Sequence, residues 1–98
     1  MAMHNPPHPG EFIRETYIEP FDISIRSLAE NLGVAASTLA RVVSERSAVS
    51  PEMALRLSKA LGRSAESWLA MQDNYNLWQA RKSSNLSQVR KIPFEAIA

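Results

Sequence analysis

The sequence predicts an all-α fold of five helices followed by a C-terminal extension. Three observations predict it. Apolar residues recur at helical spacings almost throughout, and strand-like alternation is scarce. Helix punctuation is dense, with Ser24, Ser50 and Ser64 at N-cap positions, Pro51 at a first helical position, and Gly33 and Gly62 at helix ends. The chain has 98 residues, which fits one domain with a thin hydrophobic core.

The first helix is expected near 10–18, where Phe12, Ile13, Thr16 and Tyr17 share a face. The proline-rich stretch 4–9 before it reads as non-helical, and Pro20 reads as its stop. A second helix, near 24–32, carries Ile25, Leu28, Ala29 and Leu32 as a full apolar stripe, and Gly33 supplies a turn that can take positive φ. The third, near 36–44, turns Leu39, Val42 and Val43 inward and Ala36, Ser37, Ala40, Arg41 and Ser44 outward. The fourth, near 51–61, buries Ala54, Leu57 and Leu61, with Met53 and Leu55 beside them. The fifth, near 65–81, repeats Trp68, Met71, Tyr75 and Trp78 at spacings of three, four and three, a core stripe running on into an interface. The expected division is a domain over 1–81, with the two-helix motif at about 25–44, and a tail over 82–98 for dimerisation or partner contact.

Composition excludes several classes of function. There is no cysteine, which removes disulfides, thiolate nucleophiles and cysteine zinc sites and fits a reducing cytoplasm. No apolar run approaches the ~20 residues of a membrane span, and MAMHNPPHPG lacks a basic-then-apolar signal pattern. His4 and His8 stand four apart, a spacing that binds metal on a helix, but Pro6, Pro7 and Pro9 forbid that helix, so neither metal nor cofactor is expected. No Ser–His–Asp set, phosphate-cradling glycine loop or paired carboxylates in a plausible cleft point to catalysis. Net charge is only +1, so a basic coat is absent and the distribution of charge carries the information. Residues 1–22 hold Glu11, Glu15, Glu19 and Asp22 against Arg14 alone. Residues 74–98 hold Arg81, Lys82, Arg90 and Lys91 against Glu95, and no acid occurs between Glu30 and Glu45.

That acid-free gap coincides with two short helices meeting at a glycine turn, the form of a helix-turn-helix. Ala29 is small where the helices approach, Gly33 makes the turn, and Leu39 and Val42 lock the second helix on the first. The outer face of that second helix is the one such motifs place in the DNA major groove. Ser37 and Arg41 are the expected base readers, Ala36 and Ala40 allow close approach to base edges, and Thr38 and Ser44 flank them. Arg26 and Arg46, at the margins, are expected to serve phosphates. A single motif makes few contacts, so a homodimer reading two half-sites is expected. Trp78, Leu86, Val89, Ile92 and Phe94 exceed what five short helices need to close one core, so they are expected at the dimer interface, the alternatives being a tail that folds back over its own core or stays loose until a partner binds.

SIRSLAENLGVAASTLARVV resembles the helix-turn-helix of the Xre/Cro-repressor superfamily, whose fold is lambda-repressor-like. HPGEFIRETYIEPFDIS before it and SPEMALRLSKALGRSAESWLAMQDNYNLW after it narrow the resemblance to the HigA (VapI-like) antitoxins, over about 4–80. The resemblance implies a cytoplasmic homodimeric antitoxin that blocks a HigB-type mRNA-cleaving toxin and represses its own operon on a palindromic double-stranded operator. The alternative is a stand-alone repressor without a toxin. Three positions depart from the family pattern: Ile25 where glutamine is common, Ala35 where a serine cap is common, and Ser44-Glu45-Arg46-Ser47 where the loop is commonly Asn-Gly.

Overall fold

The computed structural model describes residues 5–97 of the chain. His4, the first member of the histidine pair, lies outside them. Six helices and no strand occur among the described residues.

Helix α1 runs without a break through an α-helical stretch Pro9–Ile13, a π-helical turn Arg14–Ile18 and a last α-turn Glu19–Phe21. Two expectations are corrected here. Pro9 belongs to the helix as its first residue, where a missing N–H costs nothing, and His8 caps it: Nδ1 accepts the Gly10 N–H at 2.8 Å. Pro20 does not stop the helix. In a regular α-helix its ring would meet the carbonyl four residues back, but the π-turn ahead of it widens the ladder, with the Glu19 N–H bonded to the Arg14 carbonyl. The helix ends at Asp22, left-handed at φ 53°, and the Ile23 N–H closes back on the Ile18 carbonyl at 3.0 Å.

Helices α2 (Ile25–Leu32), α3 (Ala36–Val43), α4 (Pro51–Leu61) and α5 (Ala65–Ser83) follow the expected spans closely, α5 running two residues further. The Oγ atoms of Ser24, Ser50 and Ser64 each accept a backbone N–H three residues on, so three of the four caps are the predicted serines. Gly33 and Gly62 end α2 and α4 at positive φ. A short α6 (Phe94–Ile97), not expected, lies in the tail.

The core joins α1 to α5: Ile13, Leu28, Leu39, Leu57 and Trp68 are fully buried, with Ala29 and Ala54 where helices come close. Burying each large side chain contributes about 1.5–3 kcal/mol. Leu55, read from the sequence as lying beside the α4 stripe, points to solvent.

Candidate nucleic-acid interface

Helix α3 is held from behind and open in front. Leu39, Val42 and Val43 are buried against the core. Ala36, Ser37, Ala40, Arg41 and Ser44 are exposed, as the helical phase requires. Thr38 is half-buried at the edge of this face, lining a hollow with Val34, Ser50 and Met53. Arg26, in the first turn of α2, and Arg46, beyond the end of α3, are both exposed. Neither ion pair among the described residues involves Arg26, Arg41 or Arg46.

The turn between α2 and α3 is braced from α4. The Arg56 guanidinium donates to the Leu32 and Gly33 carbonyls at 2.9 and 3.3 Å and to Glu52 at 2.9 Å. Gly33 itself has φ 73°, and the Val34 N–H reaches back to the Ala29 carbonyl, so the turn is set by backbone geometry as well.

The far end of α3 is braced from α1 and α5. A Cβ on Gly10 would collide with the Val42 carbonyl, so α1 crosses α3 at backbone contact. One turn along α1, Arg14 Nη1 donates to the Val43 carbonyl at 2.8 Å and Nη2 lies 3.7 Å from Glu45. Glu45 takes the left-handed position after the helix at φ 66°, with the Arg46 and Ser47 N–H groups closing on the Arg41 carbonyl. The loop then runs to Val49, whose N–H donates to Oε1 of buried Gln72 at 2.9 Å. His8 is buried in the same seam, edge-on to Tyr75. Its pKa lies below the ordinary value because burial disfavours the imidazolium, with Glu45 and a Ser47 backbone contact opposing.

Two short helices fixed at a glycine turn, with the second presenting an acid-free face, match known proteins over most of the chain. The helix-turn-helix family matches residues 15–68. The HTH-type transcriptional regulator YddM of Escherichia coli is 35% identical over 94% of this chain and 97% of its own length. Antitoxin GraA, solved in complex with its operator, superposes with a TM-score of 0.84 at 36% identity, over 94% of this chain and 95% of GraA. Pseudomonas aeruginosa antitoxin HigA, solved with the higBA promoter, gives a TM-score of 0.80 at 35% identity, over 90% of this chain and 96% of that one.

The chain belongs to the HigA-type antitoxins of the helix-turn-helix family.

In this HigA-type chain the predicted DNA-facing residues lie on α3 and just beyond its end, except Arg26 in the first turn of α2, while the predicted interface residues lie on α5 and the tail. Leu86, Val89, Ile92 and Phe94 are 53–71% exposed, so the tail does not fold back over its own core. Trp78 differs from them: it is half-buried, tilted against Tyr75 at 6.4 Å, with the Lys82 ammonium 4.0 Å from its ring centroid. Leu77, which the sequence reading did not single out, is exposed instead and lines an apolar groove with Ala80 and Leu86. Sequence reasoning also missed Arg14, Arg56 and Gln72 as braces of the motif. For Arg56 a local signal existed, since Glu52 stands four residues before it on one helix. No group of three or more metal-ligating side chains occurs among the described residues, and no helix there is long and apolar enough to cross a membrane.

Proposed function

We propose that this chain is an antitoxin that represses its own operon by reading a palindromic operator as a homodimer and that also neutralises a HigB-type mRNA-cleaving toxin. The observation that carries the DNA-reading part is α3, braced at both ends by other helices with its outer face exposed and free of acids. Arg41 and Ser37 read base edges, Ala36 and Ala40 permit close approach, and Thr38 and Ser44 border the contact. Arg26 and Arg46 hold phosphates. Homodimerisation through the tail 82–98, beyond a helix-turn-helix domain 1–81, gives a mate to Leu86, Val89, Ile92 and Phe94, with Trp78 and Leu77 at the root of the contact. Toxin neutralisation rests on membership of the family. A non-enzymatic DNA reader of this kind works in the cytoplasm.

Titration on operator and scrambled duplexes tests the reading. Arg41→Ala costs ~1–3 kcal/mol on the operator alone, whereas removing Arg26 or Arg46 weakens both duplexes and lowers the salt slope by about one. An operator preference unchanged by Arg41→Ala refutes the base-reading role. Truncation after Arg81 followed by sedimentation tests the dimer. Co-expression with the adjacent reading frame tests the toxin, and neither complex nor rescued growth leaves a stand-alone repressor.

A further inference from the structure

Arg14 is the only lysine or arginine in residues 1–22, and Glu11, Glu15 and Glu19 surround it in sequence. Pairing within the helix is the ordinary outcome for such a residue. Its guanidinium instead crosses to α3, to a carbonyl 29 residues away. We propose that Arg14 is a positioning residue for DNA reading: it fixes the orientation of the recognition helix α3 and the placement of Arg46.

Gly10 meets the Val42 backbone within an apolar crossing, and apolar contacts carry no directional bond to fix the angle of one helix on another. Arg14 adds a directional contact one turn further along α1, on the next carbonyl of α3. The Val43 carbonyl is among the last four of the helix, which have no intrahelical donor, so the guanidinium satisfies a group otherwise left to solvent. The same guanidinium faces Glu45, the residue held left-handed at φ 66° between Ser44 and Arg46. The Arg46 N–H in turn closes on the carbonyl of Arg41 at 2.8 Å. Arg14 thus touches the one segment that carries Arg41, Ser44 and Arg46 together, while standing on a different helix. Two-contact anchoring of a reading helix matters because base-edge hydrogen bonds tolerate little misalignment, whereas phosphate contacts on long side chains tolerate more.

This inference rests on the reading of α3 as the recognition helix, and the experiment separates the two. A duplex selected from a random pool by the wild-type chain and a scrambled duplex are titrated with wild type, Arg14→Leu and Arg14→Lys, each corrected for its folded fraction and measured over a salt series. Losing a charge-assisted orienting bond lowers the selected-over-scrambled preference of Arg14→Leu about tenfold with the salt slope unchanged. Arg14→Lys, which keeps the charge but not the fork, loses about threefold. A merely structural role weakens both duplexes by the same factor after correction, and a preference within about twofold of wild type overturns the proposal. A salt slope lowered by about one overturns it too, making Arg14 a phosphate ligand. Should Arg14→Leu not fold, Arg14→Lys decides, an unchanged preference overturning the proposal. A wild-type chain that selects no duplex removes the recognition-helix reading itself.

Discussion

The two ends of helix α3 are built by opposite means. Its N-terminal end starts at Ala35, which has no side chain able to cap, so the first N–H groups have no side-chain acceptor. Its C-terminal end is met by Gly10 and Arg14 from α1, by the left-handed Glu45, and through Val49 by Gln72 from α5. The contrast teaches that an exposed helix can be held without using its own first donors: at the leading end Arg56 fixes the turn before the helix through the Leu32 and Gly33 carbonyls, whereas at the trailing end the anchors act on the helix and the loop that follows it.

The contrast breaks hardest at Gly10. Gly10→Ala drives a methyl group into the Val42 carbonyl, and separating α1 from α3 costs about 3 kcal/mol, at the upper end of overpacking. In a thermal melt that is a fall of roughly 12–24 °C for a domain of this size. An unchanged melt shows that α1 and α3 do not touch at backbone distance.

Next is Gln72→Leu, which keeps volume but leaves the buried Val49 N–H without its acceptor at a cost of about 1–3 kcal/mol. Urea titration measures it, as a lowered midpoint with an unchanged slope. A neutral result means that water replaces the Gln72 oxygen and the trailing loop is looser than the anchoring implies.

The long-range anchors leave little trace in the sequence for a physical reason, Arg56 with Glu52 four residues before it being the exception. Stripes and caps are local, so α2, α3 and α4 were legible to within a residue from Leu28–Leu32, Leu39–Val43 and Ala54–Leu57 with their serines and glycines. The outward set Ala36, Ser37, Ala40, Arg41 and Ser44 followed from the same periodicity. Thr38 came out half-buried because α4 rises beside it, which no period within α3 reports. The brackets made by Arg14, Gln72 and Arg56 span 29, 23 and 24 residues, and each joins a side chain to a backbone group that any residue carries. The prolines read as breakers for another reason: proline's effect depends on position, and Pro9 occupies a first turn while Pro20 follows a π-turn that accommodates it.

A smaller effect sharpens the contrast from the other end. Ala35→Ser adds the cap that α3 lacks and stabilises the fold by about 1 kcal/mol, read as a raised urea midpoint. No gain means that the leading N–H groups already have acceptors.

The smallest effect is a pH slope. Burial holds the folded-state pKa of His8 below its ordinary value of 6.5, so the unfolded chain takes up the proton first. The stability tied to a neutral His8 is complete above pH 6.5 and declines as pH falls through that value towards the lower folded-state pKa. His8→Asn keeps a capping acceptor and has no imidazole, so its denaturation midpoints lack this component of the slope. Parallel slopes for the two proteins refute it.

The two tryptophans give the molecule an optical division of labour. Trp68 sits fully buried in the centre of the core, beside Phe12 and Tyr17. Trp78 lies partly in solvent under the Lys82 ammonium, near the root of the tail. One emission spectrum therefore contains two reporters: a blue component lost only when the domain unfolds, and a redder one sensitive to anything that covers the far end of α5. Covering of the tail and melting of the core can be followed in the same cuvette without attaching a dye.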